Sequence, residues 1–473
     1  MRVININKKL YMRIHPVWLL NEFYKLTRNI LALYLFIKFA IPNNFINKEY
    51  CIFFIFFIIV YSSVSILLYW KNFKFKSGIN LEIVEGTFVK KKRHIPINNI
   101  LGYSEKSNLL EKIFKLSSLD IKIQTTDNEK VLTIPIISKE NSEILKRNID
   151  LNGMTNNDDE SSAYEKPYLT IKRNELIKGG ISSTSLIIFI LFLYSIYEKV
   201  SSHIKVNWTD MLKINDIEKN PLILVIILVV LIILSFTYSI VKVWVKYRNF
   251  KLFVNKNYVH TIWGFFTMST NTISKKHISA IIVKSNLIQQ LCRIERIIVI
   301  SMDSDNQSNG TNILIPFLKS NNGILHVNHI LDEGISTKKM KKVPFKGVIP
   351  RIIRASFALI FLVFLAYVFK EVWYIYILLF IFLFFAQALT PFFSEFKCSD
   401  EKIVYIKRGV SKELFYISLC NINEIKITES FIQRFLGLTS LELICKSNPL
   451  YKKKIKDIKK EDTLNIVRKF KSI

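Results

Sequence analysis

Glycine is scarce, with 13 in 473 residues, and chemistry that depends on glycine loops is scarce with it. Close backbone approach to a phosphate needs a Gly-x-x-x-x-Gly-Lys-Ser/Thr loop, and none is present. A His-Glu-x-x-His helix and a Gly-x-Ser-x-Gly elbow are also missing, so the chain is expected to be non-enzymatic and to need no cofactor. The five cysteines, Cys51, Cys292, Cys398, Cys420 and Cys445, are odd in number and lack Cys-x-x-Cys spacing. That excludes a disulfide scaffold and a zinc site. His326 and His329 form the one local histidine pair; without a carboxylate or cysteine at ligand spacing, they read as the surface of an amphipathic helix. Acidic residues are few as well, 37 against 67 lysines and arginines, leaving a formal charge of +30.

What the chain does hold is apolar sequence in blocks. Cys51 to Trp70, Pro221 to Trp244 and Val372 to Phe393 are each long enough for the roughly 20 helical residues that cross a hydrocarbon core. Each has a shorter apolar partner upstream, at Asn29 to Ile41, Gly180 to Tyr197 and Ala355 to Phe369. The expected architecture is therefore a multi-pass α-helical membrane protein with about six spans in three hairpins, over 29–70, 180–244 and 354–393. Lys38, near a helix end, can snorkel to the interface. Met1 to Thr27 lacks a small-residue cleavage site and reads as a cytoplasmic segment, 1–28, not a signal peptide. Paired carboxylates are absent from the spans, which leaves a proton-coupled transporter without its relay.

Downstream of each hairpin the pattern changes to period two, which signals half-buried strands. Leu81 to Val89 and Leu119 to Gln124 alternate in this way, as do Val254 to Trp263 and Lys402 to Lys407. Turn signals stand at Ser77-Gly78, Trp263-Gly264 and Arg408-Gly409. A segment recurs three times, as Ser107-Asn-Leu-Leu-Glu-Lys-Ile-Phe-Lys-Leu, Ser285-Asn-Leu-Ile-Gln-Gln-Leu-Cys-Arg-Ile and Glu429-Ser-Phe-Ile-Gln-Arg-Phe-Leu-Gly-Leu. Each copy follows a short Ile-rich strand and reads as strand, helical turn, strand, with Glu111-Lys112, Gln289-Gln290 and Gln433-Arg434 on the solvated face of the turn. A fixed-order repeat means one unit used three times. Several strands and a closing helix in each unit predict three α+β domains over 71–150, 245–332 and 394–473. The joining segments 151–179 and 333–353 read as an acidic and a basic linker.

These residues resemble the bacterial pleckstrin-homology (PH) membrane proteins of the YdbS/YdbT type. The resemblance rests on an Ile-Pro-x-x-x-Ile strand, at Ile95 to Ile100, and an apolar-apolar-x-Arg-apolar-apolar-Gly-apolar stretch, kept best at Phe431 to Leu438. The opening Arg13-Ile-His-Pro-Val-Trp-Leu-Leu20 resembles the YdbT-like branch, with echoes at Tyr168 to Arg173 and Val348 to Arg354. The resemblance implies a bent antiparallel sheet capped by a C-terminal helix in each unit. The motif positions are Lys112, Gln290 and Arg434 for the arginine, and Lys115, Arg293 and Gly437 for the glycine; the first two copies depart from the pattern at both.

The basic excess lies in the long segments after the hairpins and not in the hairpin turns, which places both termini and all three α+β units in the cytoplasm, at the cell membrane. Basic and aromatic residues coincide where spans end, at Trp70 to Lys76 and Val243 to Lys251. Lys71, Lys74, Lys76, Lys90, Lys91, Lys92, Arg93, Lys246, Arg248 and Lys251 are accordingly candidate contacts with an anionic lipid surface, each worth about 1 kcal/mol there. A protein partner in the membrane, including a related PH-domain protein, is the other expectation. Nucleic acid is not expected, since aromatics sit in spans and interfaces and no helix-turn-helix or stacking motif appears. The function that fits is presentation of three PH-like domains at the inner membrane surface, suited to envelope maintenance or stress protection. The alternative is a transporter or lipid-handling path between the hairpins, lined by Ser182, Ser183, Thr184, Ser185, Ser235, Thr237, Ser239, Gln387 and Thr390.

Overall fold

The computed structural model describes residues 11–40, 48–78, 80–123, 131–153, 166–183, 221–302, 311–332, 334–335, 340–354, 356, 381, 384, 390–447 and 449–472. The first repeat runs β1 (Met12–Arg13), α1 (Val17–Ala40), α2 (Lys48–Asn72), β2 (Lys74–Ser77), β3 (Asn80–Glu85), β4 (Lys91–Pro96), β5 (Ile100–Ser107), α3 (Leu109–Ile113), β6 (Leu116–Ile123), β7 (Val131–Ser138) and α4 (Lys139–Gly153). The second runs β8 (Leu169–Thr170), α5 (Arg173–Ile181), α6 (Pro221–Tyr247), β9 (Lys251–Val254), β10 (Tyr258–Trp263), β11 (Met268–Ser274), β12 (Ile278–Ser285), α7 (Leu287–Leu291), β13 (Ile294–Ser301), β14 (Thr311–Lys319) and α8 (Gly323–Leu331). The third runs β15 (Lys341–Lys342), β16 (Ser394–Cys398), β17 (Lys402–Lys407), β18 (Lys412–Ser418), β19 (Ile422–Thr428), α9 (Phe431–Phe435), β20 (Leu438–Cys445), β21 (Lys452–Lys459) and α10 (Lys460–Lys471). The chain divides into two compact units, one of 1–165 with 266–272, the other of 166–265 with 273–473.

One topological device recurs in every repeat. The first strand lies upstream of the hairpin and the second downstream, and the two pair antiparallel: Met12 with Phe75, Leu169 with Leu252, Lys341 with Phe396. The stretch in which each hairpin is expected is therefore inserted between two neighbouring strands of one sheet. This corrects three sequence expectations. The 1–28 and 151–179 segments and the 333–353 linker each contain a strand of the following α+β unit. Ile14, Ile335 and Val343 are buried in cores, and the echo of the opening motif in the third repeat is Lys341 to Lys346, not Val348 to Arg354, which continues from a 3-10 turn at Phe345–Gly347 into helix.

In the first unit β1-β2-β3-β4 form one sheet and β7-β6-β5 another. Phe73, Phe75, Leu81, Ile83, Leu119, Ile121, Ile134 and Leu145 fill the space between them, so α4 closes the core as the resemblance implies. β5 also pairs on its free side with Met268 to Asn271 of β11.

The second unit shows where this pairing leads. β12 pairs with β18 from Ala280–Ile417 to Ser285–Lys412, joining the back strands of repeat 2 to the front strands of repeat 3 in one sheet, β14-β13-β12-β18-β17-β16-β15. Its two faces serve two cores. Ile281, Val283, Val404, Ile406, Leu414 and Tyr416 face the repeat 2 core with Leu252, Val299 and Val327. Ala280, Ile282, Tyr405, Phe415 and Ile417 face the repeat 3 core with Leu441, Ile455 and Ile466. A strand buried on both faces reads as a continuous apolar run, which is why Ile403-Val-Tyr-Ile406 and Leu414-Phe-Tyr-Ile417 do not alternate. The expectation of half-buried strands is corrected there.

Candidate functional site

The three copies of the recurring segment fold alike. The third position of each short helix turns inward. Glu111, Gln289 and Gln433 are buried, and each accepts a hydrogen bond from the backbone N–H just ahead of its helix, at Asn108, Asn286 and Ser430 (2.9, 3.0 and 3.0 Å). This is a capping box, which satisfies otherwise orphaned donors. It corrects the expectation that these residues lie on a solvated face. Burial raises the Glu111 carboxyl's pKa, against the pull of the Asn108 N–H and of Lys25 on α1.

The motif's glycine position is a backbone position. Lys115, Arg293 and Gly437 all have positive φ, at 54°, 55° and 67°. Each carbonyl accepts from the N–H that begins the closing helix or its approach, at Lys139, Ser320 and Lys460 (3.0, 2.9 and 3.1 Å). The neighbouring arginine position differs among copies. Gln290 donates to the carbonyls of Gly409 and Val410 at 3.3 and 3.2 Å. Arg434 is exposed, 4.0 Å from Glu429. Lys112 is half-buried.

Each short helix sits near the chain that leaves its sheet between the first two strands of the repeat. Lys25 of α1 acts on Glu111. Cys292, just after α7, packs with Leu176 of α5 and Val243 and Trp244 of α6. Beside α9, Gln433 donates to Asp457 at 2.7 Å, and the fully buried Asp457 also takes Arg351 Nε at 2.7 Å and Arg354 at 2.8 and 2.7 Å, at the start of the third hairpin. Sequence spacing could not reveal this cluster, because its members are brought together over about a hundred residues of chain.

The β3–β4 turn of the first repeat lies at the same level. Asn72, the last residue of α2, donates to the carbonyls of Gly86 and Thr87, and Phe88 stacks on Tyr61 of α2 with ring centroids 6.3 Å apart. Gly86, with φ 125°, matches Gly264 and Gly409 at this turn; Gly78, the residue expected from sequence, lies at the preceding turn.

The candidate lipid contacts fall into two sets. Lys71 lies in the last turn of α2, Lys74 and Lys76 stand on β2, and Lys91, Lys92 and Arg93 on β4 after Lys90. The sheet sets acids against several of them: Arg93 lies 2.9 Å from Glu85 and Lys92 3.7 Å from Glu82. Tyr11 donates to Glu82 at 3.1 Å and with the nearby cations holds that carboxyl's pKa down. Phe73 and Phe75, read from sequence as interfacial, are core residues. In the second set Lys246 ends α6, and the Arg248 guanidinium lies 4.3 Å from the Trp244 ring and 4.5 Å from Phe265. Arg248 and Lys251, with Arg173, Trp244, Thr170 and Asn249, line a cleft of ≈ 540 Å³ at the foot of α5 and α6.

Of the hydroxyl residues considered for a transport path, Ser182 and Thr237 donate to carbonyls of their own helices, at Gly179 and Leu234, and Ser235 and Ser239 are buried. Thr184, Ser185 and Gln387, like most of the third hairpin and the first span of the second, lie outside the described residues. Tyr168 shares a hydrogen bond with His326 Nδ1 at 2.8 Å and stacks on His329 with centroids 4.2 Å apart; His326 is half-buried and His329 exposed, so the pair stands at the surface of α8 as its spacing suggests.

One helix among the described residues, over Phe53–Asn72, is long and apolar enough to cross a membrane. The family described as Bacterial PH domain matches residues 29–152, 190–323 and 355–471, three times in tandem and across most of the chain. The UPF0699 transmembrane protein YdbT of Bacillus subtilis (strain 168) is 21% identical over 328 residues, which are 65% of this chain and 66% of that protein, a little under two thirds of its length. No solved structure matches.

Proposed function

The chain belongs to the bacterial PH-domain family, and from that premise we propose a multi-pass, non-enzymatic protein of the cell membrane whose PH-like repeats work at the cytoplasmic face. The observation that carries this reading is the pairing of β1 with β2, β8 with β9 and β15 with β16 across each hairpin. Both ends of a hairpin are held in one sheet, so whatever leaves the sheet returns to it. If α2 crosses, α1 must cross as well, and the same logic gives six spans in three hairpins. The relative's name, a transmembrane protein, agrees with this. The basic excess at the foot of the hairpins then selects the cytoplasmic side.

The ligand this surface suits best is the anionic inner leaflet. Lys71, Lys246, Arg248, Lys251 and Arg173 lie where helices leave the sheets, and a polybasic surface there gains about 1 kcal/mol per cation. A related PH-domain protein in the same membrane is the protein partner that fits. Envelope maintenance or stress protection is the process such a surface-bound scaffold suits. Reporter fusions at Asn47, Ile204 and Ile473 test the topology: the first two should report outside and the last inside, and an external Ile473 overturns it. With the protein reconstituted in nanodiscs, added phosphatidylglycerol vesicles should be bound in a salt-sensitive way; equal binding of phosphatidylcholine vesicles counts against the lipid reading.

A further inference from the structure

The short helices invert the usual pattern. In an amphipathic surface helix the apolar side packs inward and the polar side meets water. Here the polar third residue is buried in all three copies, and large apolar side chains point away from the protein. Ile113 and Phe114 are 72% and 55% exposed, Leu291 is 76% exposed, and Phe431 and Phe435 are 87% and 88% exposed. One exposed leucine needs no explanation; the same displacement at the same position of three repeats does.

We infer that α3, α7 and α9 are wedges that insert their apolar side chains into the cytoplasmic leaflet of the membrane that the hairpins cross. The inference rests on the membrane reading given above. Three observations select lipid as the occupant. Each wedge lies beside the foot of its own hairpin: α3 through β7, whose Ile136 carbonyl accepts from His15 just ahead of α1 and whose following residue Lys139 donates to Lys115, α7 through Cys292 against Leu176 and Val243, and α9 through the Gln433–Asp457–Arg351 cluster. Each has a basic residue at or beside its end: Lys115, Arg293 and Arg434 are exposed. Apolar tips with a basic collar are the composition of an interfacial element on an anionic leaflet. The capping box and the αL residue after each helix fix the turn internally, so the apolar side chains are displayed by a rigid element and do not need a partner to fold.

The repeat spacing adds a mechanical consequence. With three wedges on one chain, insertion at one brings the others to the surface at high effective concentration.

Photocrosslinking of the full chain decides the matter. Benzoylphenylalanine is placed at Phe435, at Phe57 on the outer face of α2, and at Leu450, an exposed residue in the β20–β21 turn at the opposite end of the third repeat. The protein is reconstituted with phosphatidylglycerol and phosphatidylethanolamine carrying a trace of alkyne-tagged phospholipid. Lipid labelling is expected at Phe57 and Phe435, several-fold above Leu450. Labelling at Phe57 without Phe435 overturns the wedge and leaves the membrane reading intact. Failure at Phe57 overturns both. Crosslinking of Phe435 to a second copy of the chain or to another protein, with no lipid adduct, also overturns the wedge and assigns the surface to protein docking.

Discussion

At the scale of single residues, the positions that a motif search singles out have mainly conformational roles. Gly437 has φ 67°, and a Cβ there meets nothing within 4 Å, so an L residue fits but must adopt the left-handed region. Gly437→Ala should cost about 1 kcal/mol and Gly437→Asn less, with membrane association unchanged; Lys115→Gly and Arg293→Gly should stabilise by a similar amount. Chemical denaturation in detergent micelles reads this, and lost lipid binding in Gly437→Asn would show the residue to be more than a backbone device. Asp457 is different in kind. It is fully buried and neutralised by Arg351 and Arg354, so Asp457→Ala leaves buried guanidinium charge and should destabilise the third repeat by about 3–5 kcal/mol. The counterpart contact in repeat 2 is apolar, with Phe317 against Gly179, which shows that the docking of hairpin on sheet matters and the ion pair is one solution to it. His326 supplies the pH dependence. Burial, with His329 adding to it, lowers its pKa from near 6.5, so the folded state binds fewer protons than the unfolded one as acidity rises. The stability it leaves in place above about pH 6.5 should fall as pH drops toward the folded pKa. Hydrogen exchange of α8 at pH 7.5 and 5.5 should show the loss, and His326→Gln should remove most of it.

At the scale of elements, the edge strand β19 of the third repeat is marked by substitution. The bulges at Ile278/Ala280 and Ile422/Glu424 align β12 with β19, so the residues that face the following repeat are Ala280 and Ile282 in one and Glu424 and Lys426 in the other. Glu424 and Lys426 lie 3.6 Å apart, and among the described residues β19 pairs with β20 alone. Charge on an open edge blocks further pairing. β4, an edge strand of the first repeat's front sheet, carries Lys91, Lys92 and Arg93 and ends at Pro96, which has no N–H to offer. Glu424→Ala with Lys426→Ile should therefore create a sticky edge: light scattering after gel filtration in detergent should reveal association that the parent chain lacks. The sequence made the long apolar helices α2 and α6, the closing helices and the threefold order legible, because apolar length and local period are local properties. It could not show that β12 is buried on both faces, since that depends on β18, more than a hundred residues away. It hid the first strand of each repeat for the same reason: two residues such as Lys341-Lys342 have no period, and only their partner across a hairpin makes them a strand. The basic residues were legible as a class, but the acids facing them, Glu82 and Glu85, become partners only through strand register.

For the molecule as a whole, the joined sheet decides whether repeats 2 and 3 are separate domains or one cooperative body. Independent PH-like domains would each keep a complete core when cut apart. Here Val404, Ile406, Leu414 and Tyr416 of repeat 3 complete the core of repeat 2, while Ala280, Ile282 and Ile300 of repeat 2 complete that of repeat 3. Losing four large side chains from a core, at roughly 1.5–3 kcal/mol each for burial alone, approaches the entire stability of a small domain, typically about 5–15 kcal/mol. A chain ending at residue 340 should therefore keep α2 and α6 but lose cooperative unfolding in repeat 2 and aggregate through the bared β12 edge. The same truncation carrying Ala280→Glu and Ile282→Lys reproduces the outer face of β19 and should recover much of the solubility without recovering the stability. Solubility reports the edge, and hydrogen exchange of β13 reports the core, so the two contributions separate. A truncated chain that stays monodisperse, with β13 as protected as in the parent, would show that the repeats fold as independent beads and that the shared sheet contributes little.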